Sequence, residues 1–274
     1  MVGAFAIVHD CLRKDQPVAL VTVIQLESED HSDEGRSALG AKLVVRPDTE
    51  PVGSVGDAEL DRVVTRDAHG ALDAGHSVVR HYGQRGEPLQ TDVTVFIEVF
   101  APPRRMLIFG AVDFTAALVR VAKFLGFHVT VCDARPVFAT TARFPEADEV
   151  VADWPHRHLT KVADQLGSSD AICVLTHDHK FDIPALVAAL NTKAGYVGAM
   201  GSRRTHETRV ELLRAEGVGP EGIKQIMAPI GIDIGARTPE ETAVSICAEI
   251  ISRRAGVTTA SLRDSSGPIH RVAS

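Results

Sequence analysis

Four stretches of this 274-residue chain place polar or flexible residues directly after an apolar run. Open α/β folds build their sites at such strand ends. The first stretch is Met106-Leu-Ile-Phe-Gly110, followed by Ala111-Val-Asp-Phe-Thr-Ala-Ala-Leu118. It stands where a dinucleotide-binding turn would stand, because a helix start offers free backbone N–H groups and a positive dipole end to a phosphate. Gly110 and Ala111 are the candidate contacts. The glycine pattern is broken, with Val112 at the second glycine position and Thr115 at the third. A valine there obstructs the approach of backbone to a pyrophosphate. Asp133 ends the next apolar run, where a carboxylate would accept a ribose 2′-hydroxyl, and Arg135 follows it. A Rossmann-type unit that binds no dinucleotide is the other reading.

The second stretch is Thr176-His-Asp-His179 with Asp182. His177, His179 and Asp182 resemble the HxHxDH zinc motif of metallo-β-lactamase-type hydrolases, but Asp182 falls one residue late and Ile183 follows it. Zinc needs several ligands in fixed geometry, and no companion histidine motif lies downstream. The alternatives are a polar ligand site made by Thr176, His177 and Asp178, or a solvated loop that caps the next helix. The third stretch, Gly198-Ala-Met-Gly-Ser-Arg-Arg204, reads as an anion cradle: Gly201 makes the turn, Ser202 caps a helix, and Arg203 and Arg204 supply charge. Two arginines solvating a helix are the bland reading. The fourth, Ala228 to Ala236, alternates glycine with apolar residues and reads as an ordered loop packed back on the sheet.

The surrounding patterns must position these stretches. Val18 to Leu26, Ala41 to Arg46, Ser77 to Tyr82 and Asp92 to Phe100 read as strands. A polar loop spans Glu27 to Arg36, and a turn is expected at Pro47-Asp-Thr-Glu-Pro51. One helix is expected from Asp57, with Leu60, Val63, Val64, Ala68, Ala71 and Leu72 at helical spacing and Gly75 at its end. These elements make a small α+β domain over residues 1–103, joined by a linker at Ala101-Pro-Pro-Arg-Arg105. Beyond it strand and helix alternate: Met106 to Phe109, a stripe from Phe114 to Leu125, His128 to Cys132, Glu149 to Ala152, a helix from His158 to Leu166, Ala171 to Leu175, Ile183 to Leu190, a strand from Gly195 and a helix over Ser202 to Glu216. Thr238-Pro-Glu-Glu241 is a capping box opening a last helix to about Arg254. Alternation of this kind predicts right-handed βαβ units. The expected fold class is α/β: a Rossmann-like doubly wound parallel sheet over residues 104–254 after the small domain, with a flexible tail over 255–274.

Composition narrows the function classes. There are 29 basic and 36 acidic residues, a formal charge of −7, so no general basic field draws in nucleic acid or an anionic membrane. No run approaches the roughly 18 apolar residues of a membrane span. The N-terminus lacks a signal-peptide pattern, which predicts a cytoplasmic protein. The 4 cysteines form no CxxC pair, which argues against a disulfide framework or zinc knuckle. Cys132 and Cys173 lie in buried runs, Cys247 lies on a helix, and Cys11 alone is expected near the surface.

Taken together, the chain resembles the XdhC/CoxI family of accessory proteins that mature xanthine and carbon-monoxide dehydrogenases. The resemblance rests on LIFGAVDFTAAL, VTVCDARPVF with RFPEADEV, VLTHDHKFDIPAL, YVGAMGSRR and PIGIDIGARTPEETAVSI in that order, and on VALVTVI, LGAKLVV and VGSVGDAEL in the first domain. Three positions depart from the family pattern. Gly53-Ser-Val-Gly-Asp57 carries no cysteine, Leu89-Gln-Thr-Asp92 replaces a cysteine–glycine element, and Gly110-Ala-Val-Asp113 replaces Gly-x-Gly-His. The resemblance implies a carrier of molybdenum cofactor, with the phosphate at Ser202 to Arg204 and the Gly110 turn and the pterin edge at Thr176, His177 and Asp178. It also implies a homodimer, an apo molybdenum hydroxylase as partner and a cysteine desulfurase as a second one. An NAD(P)-dependent oxidoreductase on the same fold and a hydrolase using His177, His179 and Asp182 are the alternatives.

Overall fold

A computed structural model describes residues 3–14, 16–27, 37–47, 49–88, 90–259 and 263. The chain divides between Pro102 and Pro103 into two compact units.

The first unit contains α1 (Ala4–Arg13), β1 (Val18–Leu26), β2 (Lys42–Arg46), β3 (Thr49–Ser54), α2 (Ala58–Ala74), β4 (Val78–Tyr82) and β5 (Val93–Phe100). Its antiparallel sheet has the order β3-β2-β1-β5-β4. The expected helical stripe is the buried face of α2. Leu60, Val64, Ala68 and Ala71 pack on Val21, Val23, Leu43, Val45, Val95 and Ile97, each large apolar side chain contributing roughly 1.5–3 kcal/mol on full burial. The Asp57 side chain accepts from the Glu59 N–H at the start of α2, and Gly75, at φ 72°, closes its end.

Two elements go beyond the sequence reading. Helix α1 covers the opposite face of β2, where Val8 and Cys11 meet Val18 and Val44. Cys11 is therefore buried, 2% exposed, and not near the surface as expected. The Pro47–Pro51 segment, expected as a turn, gives way at Thr49 to the edge strand β3. An edge tolerates Pro51 and Gly53, and a Cβ on Gly53 would stand 2.2 Å from the Lys42 carbonyl oxygen.

The second unit contains β6 (Arg105–Phe109), α3 (Asp113–Phe124), β7 (His128–Cys132), β8 (Glu149–Val151), α4 (Pro155–Val162), β9 (Ala171–Val174), α5 (His179–Ala189), β10 (Tyr196–Ala199), α6 (Arg203–Ala215), α7 (Pro220–Gln225), β11 (Ile226–Met227) and α8 (Pro239–Arg254). All its strand pairs are parallel, in the order β11-β10-β9-β6-β7-β8. This is the doubly wound arrangement expected, and strand order reverses between β6 and β9. One face of the sheet buries Met106, Ile108, Val129, Val131 and Cys173 under α3 and α8. The other buries Leu107, Phe109, Ile172 and Val174 with Leu159, Leu186 and Leu213 from α4, α5 and α6. Burial on both faces is why the strands read as unbroken apolar runs.

Helix α5 starts at His179, four residues before the expected Ile183, and α7 and β11 lie between the expected helix over Ser202 to Glu216 and the expected loop from Ala228. The expected polar loop falls outside the described residues from Ser28 to Arg36, as do Leu89 and, apart from Arg263, the expected tail from residue 260. No helix among the described residues is long and apolar enough to cross a membrane.

All four cysteines are free and buried. Burial pushes the Cys132 and Cys247 thiols up to about 12 and Cys173 well above its ordinary value. A thiol-reactive dye at pH 8 is therefore expected to find no fast-reacting cysteine in the folded chain and four after denaturation. A fast native reaction lost in Cys11→Ser would show that α1 does not seal the sheet.

Candidate functional site

Two turns at the C-terminal edge of the parallel sheet contain most of the candidate residues. At the first, Gly110 has φ +115°, and a Cβ there would lie 2.8 Å from Thr176 Cγ2 and 2.9 Å from the Thr176 nitrogen. Only glycine lets the ends of β6 and β9 close to this distance. The Gly110 N–H donates to the Cys132 carbonyl at 2.9 Å. The Ala111 N–H donates to Asp133 Oδ2 at 2.8 Å. The Val112 N–H reaches Thr115 Oγ1 at 3.3 Å, and the Thr115 hydroxyl donates to the Gly110 carbonyl.

Asp133 is 2% exposed. Its Oδ1 accepts from the Arg135 N–H and Nε, each at 2.9 Å, and its Oδ2 from Arg135 Nη2 at 2.8 Å. Burial pushes the carboxyl up, but the Arg135 and Ala111 donors hold it below the usual carboxylate range. The sequence reading does not single out Arg143, whose Nη1 donates to the Ala111 carbonyl at 3.1 Å. Phe138 lies under both guanidinium groups, 4.5 Å from that of Arg135 and 5.3 Å from that of Arg143. Gly110, Ala111, Asp133 and Arg135 are thus brought together as the sequence suggests, but bonded to one another.

The Thr176 segment does not act as one unit. Thr176 is buried and its hydroxyl donates to Asp182. Asp182 and Arg209 are both fully buried and paired at 3.0 Å, and the same Arg209 Nη2 donates to the Met200 carbonyl at 2.8 Å. Burial pushes the Asp182 carboxyl above its ordinary value despite the Thr176 and Arg209 donors. The hydrolase alternative therefore loses its carboxylate: Asp182 faces an arginine in the core while His177 is exposed and His179 begins α5. Among the described residues no group of three His, Cys, Asp or Glu side chains is placed to hold a metal. Asp178 caps α5 by accepting from the Lys180 N–H at 3.1 Å. Sequence reasoning misses Arg209. The available signal is its position four residues before Leu213, on the same helix face.

The second turn joins β10 to α6. Gly201 has φ +143°, with Arg209 Nη2 3.7 Å from where its Cβ would be. Ser202 caps α6 by accepting from the Thr205 N–H at 3.1 Å, and Arg203 and Arg204 are exposed. Beside it lies a cleft of about 330 Å³ lined by Phe114, His177, Met200, Gly201, Pro229, Ile230 and Thr242. The loop from Ala228 forms one wall and packs back on the sheet as expected. Its Ile230 N–H donates to the Ala199 carbonyl at 3.1 Å, its Gly231 N–H donates to Glu249 at 2.9 Å, and the Tyr196 hydroxyl donates to the same carboxylate oxygen at 2.6 Å.

A model of the XdhC Rossmann domain matches residues 106–250, and one of the XdhC and CoxI family matches residues 11–83. The chain belongs to the XdhC/CoxI family. A Bacillus subtilis protein named as a probable xanthine dehydrogenase subunit is 33% identical over 160 residues, 58% of this chain and 46% of the relative. The molybdenum cofactor insertion chaperone PaoD of Escherichia coli is 30% identical over 155 residues, 57% of this chain and 42% of its own length. This XdhC/CoxI chain spans less than half the length of the curated relatives it matches. A crystal structure of a xanthine dehydrogenase from Bacillus halodurans shares the fold at 21% identity, covering 92% of this chain and 97% of that one with a TM-score of 0.51.

Two stability measurements follow from the site. Arg209→Met leaves Asp182 buried without its cation, and urea unfolding is expected to show a loss of about 3–5 kcal/mol, much of it recovered in Asp182→Asn/Arg209→Met. Equal loss in single and double variants would mean that the pair is not coupled. The Asp133 carboxylate, held below its unfolded value near ~3.9, stabilises the fold above that pH and ceases to as pH falls through its folded value. The stability advantage of the native chain over Asp133→Asn is therefore expected to be large at pH 7 and smaller at pH 3.

Proposed function

We propose that this chain is a maturation factor for molybdenum hydroxylases of the xanthine or carbon-monoxide dehydrogenase type, carrying molybdenum cofactor as cargo and delivering it to the apo-enzyme. The observation that carries the reading is the cleft beside the β10–α6 turn, where an apolar recess meets a capped helix start bearing two exposed arginines. A phosphorylated pterin needs both parts. The first N–H groups of a helix lack partners within it and attract a phosphate, and Arg203 and Arg204 supply charge-assisted donors. Gly201 and Ser202 form the turn below them. His177 lines the cleft and is available to a pterin edge, while Asp178, next in the chain, is bonded to the Lys180 N–H and Nζ at the start of α5. Thr176, its hydroxyl held by Asp182, positions His177 and Asp178 rather than touching cargo. A carrier holds its cargo without transforming it, so the reading asks for binding groups and not for a nucleophile. The names of PaoD and of the Bacillus subtilis relative support the same reading. An apo molybdenum hydroxylase as partner, a homodimeric state and a cysteine desulfurase as second partner belong to this proposal, as does a cytoplasmic location.

The test is a pull-down of apo-dehydrogenase by the native chain with and without molybdenum cofactor, alongside cofactor binding followed by pterin fluorescence. Cofactor-dependent capture is expected. Arg203→Ala/Arg204→Ala is expected to weaken cofactor binding by about 1.5–3 kcal/mol per charged hydrogen bond lost. Unchanged affinity at low salt in a folded double variant would remove the phosphate from this turn.

A further inference from the structure

A phosphate-binding turn works through N–H groups that its own chain leaves free. At the β6–α3 turn, the N–H groups of Gly110, Ala111 and Val112 are all taken internally, by the Cys132 carbonyl, the Asp133 carboxylate and the Thr115 hydroxyl. The carboxylate matters most, because it sets a negative charge on the amide that a pyrophosphate would approach. Asp113, the first residue of α3, adds an exposed carboxylate at the same helix start. Arg135 covers both Asp133 oxygens with a bidentate guanidinium, so a ribose diol finds no open acceptor there. Val112, in which the sequence suggests the obstruction, is half-buried against the core of this unit.

We infer that Asp133 is an internal anion that closes the β6–α3 turn to nucleoside diphosphates, with Arg135 as its clamp. The two are specificity-determining residues: they exclude NAD, NADP and other dinucleotides from the side of the switch point where a Rossmann unit receives them. As far as this assigns the cargo phosphate to the β10–α6 turn, it rests on the carrier reading above. The exclusion itself does not.

The experiment is calorimetric titration of ADP and NAD into the full chain and its folded variants. Native protein is expected to bind neither at millimolar concentration. Asp133→Asn keeps an acceptor for the Ala111 N–H but removes the charge, and it is expected to tighten ADP binding at least tenfold. Asp133→Ala also frees that N–H and the Arg135 donors, and it is expected to gain more. Asp133→Ala/Arg135→Met is expected to lose most of that gain, since the freed guanidinium provides the cation. Circular dichroism melts identify the folded variants, and the isosteric Asp133→Asn keeps the test open if Asp133→Ala does not fold. Native binding as tight as that of the variants overturns the inference. So does a gain below tenfold in folded Asp133→Asn, or an equal gain with and without Arg135. ADP asks nothing of the pterin or of the apo-enzyme, so this result stands or falls separately from the carrier role.

Discussion

Arg209 brings a guanidinium into a fully buried place, and Asp182 answers it at 3.0 Å. A buried charge is tolerated only when it is paired and hydrogen-bonded. That requirement fixes four segments at once. Asp182 lies on α5 and receives the Thr176 hydroxyl from the end of β9. Arg209 lies on α6 and donates to the Met200 carbonyl at the end of β10. The β9–α5 and β10–α6 connections are thereby held together from beneath, and Gly201, at φ +143°, passes close over the first turn of α6, where a Cβ would stand 3.1 Å from Thr205 Cγ2. The cleft has a fixed floor for this reason, and the groups above it, His177 and the start of α6, are left facing outward.

This unit has two helix starts of the same kind at the C-terminal edge of its sheet, after β6 and after β10, and local chemistry makes them different. At the β6–α3 turn a carboxylate, a hydroxyl and a strand carbonyl take up the amides. At the β10–α6 turn the Ser202 hydroxyl takes the Thr205 N–H and meets the Thr205 hydroxyl, and two arginines stand exposed. Both turns have a positive-φ glycine, so backbone geometry does not separate them. The difference lies in what the next strand brings: β7 is followed at once by Asp133, whose carboxylate takes the Ala111 N–H of the first turn.

Much of this architecture is legible in the sequence because its signals are local. The apolar runs at Met106 to Phe109 and Ala171 to Leu175 announce strands covered on both faces. Gly75 and the Thr238–Glu241 capping box mark helix ends, and both sit where the pattern places them. What the sequence hides depends on distant partners. Strand β3 exists because β2 offers it an edge, although its own residues read as a turn. Helix α1 buries Cys11 only because β1 and β2 present Val18 and Val44 to it. At the site, the positions of Gly110, Asp133, His177 and Ser202 follow from strand-end spacing. The inward turn of Asp182 does not, since it requires an arginine from a helix 27 residues further on. Local pattern marks where a polar side chain is placed, and tertiary pairing decides whether it faces a ligand or the core.

Magnitudes show why that distinction governs recognition. Hydrogen bonds to charged groups contribute about 1.5–3 kcal/mol each. A ligand entering at the β6–α3 turn would have to displace the Asp133 bonds to the Ala111 N–H and to the Arg135 side chain before making its own. The arginine is already partnered and the carboxylate repels a phosphate, so replacement would begin at a loss. Arg203 and Arg204 form no ion pair among the described residues and have no such bonds to break. A phosphate bound there gains its charge-assisted contacts against water alone. With a formal charge of −7 on the whole chain, no general field compensates for a closed turn. The character of each helix start is decided residue by residue, and the exposed Arg203 and Arg204 follow Gly201, which lines the cleft.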